Sequence, residues 1–347
     1  MIIQIIVIRK CFFLAVCKLF FLILFAACSQ GTSSIDAQGE FIMGTYCRIN
    51  LFEDGNSALY NKLFTRLAEL EKIFSANWDD SELARVNQKA GLEAVEISAE
   101  LFTVLERALY FAEVTDGAFD PTVGPLVRLW GIGTEYARIP SDMEIAAALD
   151  LVNWKELELT KRTAFLKRKD MALELGAIAK GYAADELVSI LREAEVKKAI
   201  IDLGGNVYVW GRKDNGEPWN VGVQDPAAER GNYMGILELK RSLSVVSSGV
   251  YERFFTGHDG KRYHHILELT DNGEGRQGYP VENGVLSVTV IAVSSMDADV
   301  LSTSCFILGY RNGMALALAN EAEVLYIEEN TVRGSPGAMA IFTLSGH

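Results

Sequence analysis

The run Ala199-Ile-Ile-Asp-Leu-Gly-Gly-Asn-Val-Tyr-Val-Trp210 marks a change of texture in the chain. From here on, short apolar runs rich in Val, Ile, Tyr and Trp predict strands at 199–203, 207–210, 219–223, 236–239, 243–246, 264–269 and 286–293. Turn signals such as Asp214-Asn215-Gly216 and Glu282-Asn283-Gly284 separate them, so the pairing is expected to be largely antiparallel. Upstream the period is helical. Leu63, Leu67, Leu70 and Phe74 share one face. A second helix from about Ser98 carries Leu101, Val104, Leu105, Ala108 and Ala112 and stops at Asp116-Gly117, and a third follows Gly181 with Ala184, Leu187 and Leu191 inward. Helices first and strands afterwards give an α+β fold, with no internal repeat and no linker that divides residues 41–347.

The chain opens differently. Arg9, Lys10 and Lys18 precede the apolar run 19–27, which ends in Ala26-Ala27-Cys28. This order predicts a lipoprotein signal peptide over residues 1–27, with Cys28 lipidated and a Gly/Ser/Thr-rich tether through residue 40 leading to the folded body. An uncleaved anchor helix is the alternative, although the run after Lys18 is shorter than the roughly 20 apolar residues a span needs. Of five cysteines only Cys47 and Cys305 then remain in the body, which is not a disulfide framework. Cys305 reads as a small buried hydrophobe.

The 347 residues carry 33 Lys+Arg against 46 Asp+Glu, a net charge of −13. Such a balance argues against nucleic acid as a general partner, because phosphate neutralisation needs clustered cations. An anionic substrate would require a local positive device, such as a metal ion or a helix N-terminus. The dinucleotide-binding, P-loop and nucleophile-elbow signatures are absent, and the histidines His258, His264, His265 and His347 do not form zinc-ligand spacing with cysteines.

Four polar constellations remain. In the helix running through Ala298, Leu301, Cys305 and Leu308 to Gly309, Asp299 and Thr303 stand at i and i+4, two hard oxygens on one face. They suit a Mg²⁺ ion; equally, Asp297 or Asp299 could cap the helix while Thr303 bonds back to a carbonyl. The segment 173–185 runs from a strand end through Gly176 and Gly181 into a helix, with Lys180 at its start, a phosphate-attracting arrangement or simply a tight turn. The loop 115–125 could present Phe119 and Asp120 to a ligand, or serve only as a C-cap and Pro-fixed turn. In Tyr263-His264-His265-Ile266, strand alternation sends the two imidazoles to opposite faces, so only one serves a given site.

With Met43-Gly44-Thr45, Ser75…Ser81-Glu82…Asn87, Asp116-Gly-Ala-Phe-Asp-Pro-Thr122, Asp202-Leu-Gly-Gly-Asn206 and Ser287-Val-Thr-Val290, these segments resemble, in order and spacing, the FAD:protein FMN transferase family, the ApbE-like flavin transferases. The resemblance implies one T-fold-like unit inserted in another. It implies FAD held around Met43, Asn77, Ala118, Phe119, Asp120, Glu174, Lys180 and Ile266, and Mg²⁺ bound by Asp299, Thr303 and a carbonyl near Ala177. His265 would lie near the pyrophosphate, as an acid/base or phosphate-positioning group. The reaction implied is transfer of FMN from FAD to a Thr or Ser hydroxyl of an acceptor protein, such as a membrane redox subunit, with release of AMP. A lipid anchor would place the enzyme on the periplasmic side of the cytoplasmic membrane. The family usually carries Tyr two residues after Ser75, where this chain has Asn77 and then Trp78. That departure keeps two alternatives open, an FAD pyrophosphatase giving FMN and AMP, and a non-catalytic FAD-binding lipoprotein.

Overall fold

A computed structural model describes residues 37–52, 56–270, 277–329 and 331–345. The signal peptide, Cys28, most of the tether, part of the Gly-rich loop after His265, and His347 lie outside the described residues.

The run 199–210 forms a hairpin. Its strands Lys198–Leu203 and Asn206–Gly211 are joined by Gly204 and Gly205, at φ 68° and 99°, a left-handed pair that glycine adopts without strain. The Asp202 carboxylate accepts from Gly205 N at 3.1 Å and closes the turn. Around this hairpin grows an eight-stranded sheet: β1 (Gln38–Ile42), β2 (Thr45–Leu51), β3 (Lys198–Leu203), β4 (Asn206–Gly211), β5 (Leu243–Gly249), β6 (Val285–Ala292), β7 (Glu323–Glu328) and β8 (Thr331–Gly334). Spatial order equals chain order and every neighbouring pair is antiparallel, so the rest of the fold is inserted between consecutive strands, apart from a C-terminal helix and strand that follow β8. Residues 38–40, expected in the tether, belong to β1. Their backbone pairs with β2, from Gln38 opposite Ile49 to Glu40 opposite Cys47, and a paired backbone is not free to act as a tether.

Between β2 and β3 come α1 (Ser57–Phe74), α2 (Glu82–Gln88), α3 (Ala99–Val114), α4 (Gly124–Trp130), α5 (Asp142–Leu149) and α6 (Ala179–Glu193), with a small sheet of Val95–Glu96, Thr163–Leu166 and Leu157–Leu159. Asn56 caps α1 and Ser98 caps α3, each accepting from the third residue on. Thr115, with Asp116 and Gly117 at positive φ, ends α3 where the sequence placed its stop. The third helix starts earlier than expected: Lys180 and Gly181 lie inside the first turn of α6.

Between β6 and β7 lies α7 (Ser295–Ala319), broken at Gly309, whose φ of 67° and ψ of −178° no helix accommodates. This agrees with Gly309 as the end of the Asp299 helix. Register decides which residues share a face. Cys47, Ile49, Ala199, Ile201 and Leu203 are buried on the back of the sheet, where α6 and α7 pack. Phe41, Tyr46, Ile200, Asp202, Val207, Val209 and Val245 share the front.

Part of that front is covered by a three-stranded sheet of Trp219–Gln224, Tyr233–Leu239 and Phe342–Leu344 and by α8 (Pro336–Ile341), through a core that includes Val209, Trp219, Leu237, Val245, Ile291 and Leu325. Cys47 and Cys305 are both buried free thiols, pushed up to about 12 by burial and so held protonated. No helix among the described residues is long and apolar enough to cross a membrane.

Candidate active site

Two helix starts meet behind the sheet, and each is satisfied by a carboxylate from the other helix. Asp185, in the second turn of α6, accepts from Ser295 N at 2.9 Å, Met296 N at 3.0 Å and Ser294 Oγ at 3.1 Å, meeting donors that α7 cannot pair internally. Burial still holds its carboxyl above the ordinary value against these bonds. Asp299 of α7, 4 % exposed, returns the contact: its Oδ2 accepts from Gly181 N at 2.9 Å. Gly181 has no side chain to obstruct this approach, and a Cβ there would lie 2.6 Å from Met296 Cα.

The capping alternative for Asp299 and Thr303 does not hold. Ser294 caps α7 by accepting from Asp297 N at 3.1 Å, and Asp297 is engaged by Arg107 at 2.7 Å. Ser302 and Ser304 bond back to the carbonyls of Asp299 and Val300, both at 2.8 Å. Thr303 does not; its hydroxyl lies 3.3 Å from Ser248 Oγ. Lys180 Nζ lies 3.5 Å from Asp299 Oδ1 and donates to Gly176 O at 2.8 Å.

Among the described residues there is no group of three or more His, Cys, Asp or Glu side chains suited to a metal. One carboxylate oxygen, one hydroxyl and the backbone at Ala177 are nonetheless all hard donors lining one cavity, and their chemistry fits Mg²⁺, which keeps several waters or substrate oxygens.

That cavity, of about 1660 Å³, is lined by all the residues named from sequence: Met43, Asn77, Ala118, Phe119, Asp120, Glu174, Ala177, Lys180, His265, Ile266, Asp299 and Thr303. Their roles in it differ. Met43, at φ 56°, turns the chain between β1 and β2 and donates its N–H to Glu71 Oε1 at 2.7 Å. Phe119 is placed by its N–H, which donates to Thr115 Oγ1 at 3.1 Å.

Asp120 lines the cavity, and its carboxylate is also bound to its own loop and to Trp154. Oδ1 accepts from Thr122 N and Oγ1, both at 2.7 Å, and Oδ2 from Trp154 N at 2.9 Å, while burial keeps the carboxyl raised. It shapes the wall that carries Phe119. Asn87 is similarly structural, exchanging two hydrogen bonds with the backbone of Leu173 at 3.0 and 2.7 Å and so fixing the segment that bears Glu174. Glu174 accepts from Gly176 N at 2.8 Å, and burial raises its carboxyl. Asn77 is exposed, and among the described residues its side chain has no hydrogen-bond partner.

The strand expected over 264–269 is confined to Arg262–His264, because Leu267 pairs only through an isolated bridge to Pro280. The two imidazoles still part company. His264 is buried, with Nε2 2.9 Å from Val281 O, Nδ1 accepting from Ile266 N at 3.3 Å and its ring against Phe306. Both its nitrogens are therefore used in packing. His265 faces the cavity, with its backbone N–H donating to Arg253 O at 3.2 Å. Burial first, then Arg253, His264 and Lys180, depress it to about 3, so the ring is held neutral.

Sequence reasoning missed Glu252, Arg253 and Ser248, which line the same cavity. Glu252 is pushed up to about 7, by burial and by the neighbouring Asp299, against Lys180, Arg253 and Arg230. The signal that could have found it is the acidic-basic pair Glu252-Arg253 directly after the β5 strand run.

The ApbE family profile matches residues 43–326. The chain belongs to the ApbE family. ApbE relatives include the FAD:protein FMN transferase of Treponema pallidum, 38% identical over 299 residues covering 81% of this chain and 80% of that one. A second is the Klebsiella pneumoniae FAD:protein FMN transferase, 36% identical over 292 residues, 83% of this chain and 88% of the other. Among ApbE structures, the protein of Thermotoga maritima superposes with a TM-score of 0.79 at 32% identity, covering 88% of this chain and 98% of its own. The flavin transferase ApbE of Vibrio cholerae follows with a TM-score of 0.77 at 29% identity, covering 88% and 98%.

Proposed function

We propose that this protein is a Mg²⁺-dependent FAD:protein FMN transferase, acting on a Thr or Ser hydroxyl of an acceptor protein outside the cytoplasmic membrane while anchored through lipid on Cys28. The observation that carries the chemistry is that Asp299, Thr303, Ala177, Lys180 and His265 all line one cavity, with Lys180 Nζ 3.5 Å from Asp299 Oδ1. Its membership of the ApbE family and its identity with named transferases support the same reading.

Asp299, Thr303 and the backbone at Ala177 would hold Mg²⁺, which supplies charge neutralisation and Lewis acidity at the phosphate oxygens. The chain's own residues do the rest. Lys180, at the positive end of α6, attracts the pyrophosphate. The acceptor oxygen forms a bond to the FMN phosphorus as the bond from that phosphorus to the bridging oxygen breaks, and AMP departs with that oxygen. The hydroxyl proton has two nearby takers, His265 and Glu252. A bound pyrophosphate raises the affinity of His265 for it, because an adjacent anion stabilises imidazolium. Phe119 and Ile266, both buried, contribute apolar surface for the ligand rings.

A second reading, hydrolysis of FAD to FMN and AMP, is favoured by one feature: among the described residues the exposed Asn77 side chain has no partner, where an aromatic residue would grip a ring. Incubation with FAD and Mg²⁺, with and without a peptide bearing an acceptor Thr, separates the possibilities. Peptide-bound FMN supports transfer, free FMN alone supports hydrolysis, and intact FAD would leave only a binding protein.

A further inference from the structure

The core under the covering three-stranded sheet reaches Ile200 of β3, while Phe41 of β1 and Tyr46 of β2 stay outside it. Phe41 and Tyr46 face each other across the β1–β2 register on the sheet front and remain 75 % and 59 % exposed. Arg48 and Asp202, paired in register, come next on this face, and half-buried Ile200 and Val207 lie beyond them toward the covering sheet. The strip ends at Trp219–Gln224, which is the edge strand of that sheet. Tyr233, 52 % exposed, lies across Gly222 of this strand: a Cβ on Gly222 would stand 2.6 Å from its Cε1.

The result is a trough whose floor joins the aromatic pair to the polar row Arg48–Asp202, with a strand edge that is unpaired among the described residues for a wall. It is continuous with the active-site cavity, which Phe41, Tyr46, Gly222 and Tyr233 also line. The link is covalent as well, since Met43-Gly44 is the turn that joins the strands bearing Phe41 and Tyr46.

We propose that this trough seats the hydroxyl-bearing segment of the acceptor protein, in extended conformation, alongside Trp219–Gln224 and over the Phe41–Tyr46 floor. The inference rests on the transfer reaction proposed above, which requires a second, macromolecular occupant. The cavity, of about 1660 Å³, lies above the roughly 300–1,000 Å³ usual for one drug-sized ligand. An extended segment suits both walls. Its backbone pairs with the strand edge, while alternation sends one side chain inward to the phosphorus and its neighbours onto the aromatic pair and the Arg48–Asp202 row. An exposed aromatic pair beside a catalytic cavity is the expected mark of a recognition surface.

The test compares full-length wild type, the double variant Phe41→Ala/Tyr46→Ala, and the conservative Tyr46→Phe. Each is given FAD, Mg²⁺ and membranes from the source organism lacking this gene, and covalent flavin fluorescence is read on denatured protein bands. FAD affinity is measured in parallel by flavin fluorescence. The expected result is at least a tenfold slower labelling by the double variant, FAD affinity within twofold of wild type, and near-normal labelling by Tyr46→Phe. Wild-type labelling by the double variant overturns the proposal. So does a matching loss of FAD affinity, which would put the aromatic pair in the flavin site. A wild-type dimer that the double variant dissolves would make the trough a self-interface, and faster labelling by a chain beginning at Ala37 would make it the berth of residues 1–36. Wild-type enzyme that labels no band while consuming FAD refutes transfer itself, and this proposal with it.

Discussion

Gly181→Ala tests whether the crossing of α6 and α7 sets the site. In an ordinary helix interior this change gains about 1 kcal/mol of helix propensity. Here the added Cβ would lie 2.6 Å from Met296 Cα and 2.7 Å from Ser295 C, against 3.4–4 Å for ordinary contact. These are backbone atoms at the start of α7 and cannot rotate away, so the helices must part by roughly 1 Å. Overpacking of this kind typically costs about 1–3 kcal/mol, which cancels or outweighs the propensity gain. The net effect on the melting temperature is expected to be between zero and a fall of a few degrees.

The effect on function should be larger. Parting the helices stretches the 2.9 Å bond from Gly181 N to Asp299 Oδ2 and the Asp185 bonds to Ser295 and Met296, and carries Asp299 away from Lys180. A misplacement of about 1 Å can cost on the order of 10²-fold in rate. The assay titrates Mg²⁺ against FMN formation from FAD and compares FAD binding in chelator. The expected result is a raised Mg²⁺ requirement with a roughly 10- to 100-fold slower rate, while binding in chelator changes little. A variant that melts higher and keeps the wild-type Mg²⁺ profile would refute the argument.

Asp299→Ala should abolish most Mg²⁺-dependent turnover while leaving a folded protein by melting curve, and Thr303→Ala should cost less, because a neutral hydroxyl supplies less charge; full activity of Asp299→Ala at limiting Mg²⁺ would count against the metal site. His265→Ala is expected to slow turnover by about 10²- to 10⁴-fold with modest change in FAD affinity. His264→Ala, which empties a packed position beside Phe306, should chiefly lower the melting temperature, and equal kinetic effects would contradict the division of roles. Asn77→Tyr should raise FAD affinity by roughly two- to tenfold, the equivalent of about 0.5–1.5 kcal/mol of ring stacking, and slow free FMN release; calorimetric titration showing unchanged or weaker affinity would remove Asn77 from the ligand. Cys28→Ser should abolish labelling by a radioactive fatty acid, and persistent labelling would exclude lipidation at that residue.

Features that depend on local spacing were legible in the sequence. The 3.6-residue period placed α1 and α3, the i, i+4 relation put Asp299 and Thr303 on one face, and Gly309 marked the helix break. Features that depend on distant partners were not. Asp120 reads as a free carboxylate until Trp154 N, 34 residues away, is found donating to it. Asp185 looks like one more helix-surface acid, yet its partners lie 109 to 111 residues downstream. The separation of His264 from His265 came from strand alternation, but the strand ends at His264. What sends His265 to the cavity is its N–H bond to Arg253 O, together with the bridge that takes over at Leu267. Glu252 follows a strand end and carries no periodicity, so nothing local distinguishes it from a solvated acid.

The net charge of −13 is at odds with a pyrophosphate substrate until the acids around the site are followed one at a time. Asp185 and Asp120 face backbone N–H groups, so their charge is met within the protein rather than aimed at a ligand. Glu252, pushed up to about 7, is only partly ionised at neutral pH. Glu71, Glu174, Asp202, Glu229 and Asp299 also line the cavity, against Arg128, Lys180, Arg230, Arg253 and Arg262, and Lys180, 3.5 Å from Asp299, is partly engaged by it. An anion entering this cavity would therefore meet little net attraction from protein charges alone. Asp299, Thr303 and the backbone at Ala177 would hold a divalent cation whose charge would reverse that balance, with Lys180 then facing phosphate and His265 a neutral neighbour whose proton affinity rises beside a bound anion. The physical case for Mg²⁺ at Asp299 thus comes from the charge arithmetic of the cavity as well as from its donor set.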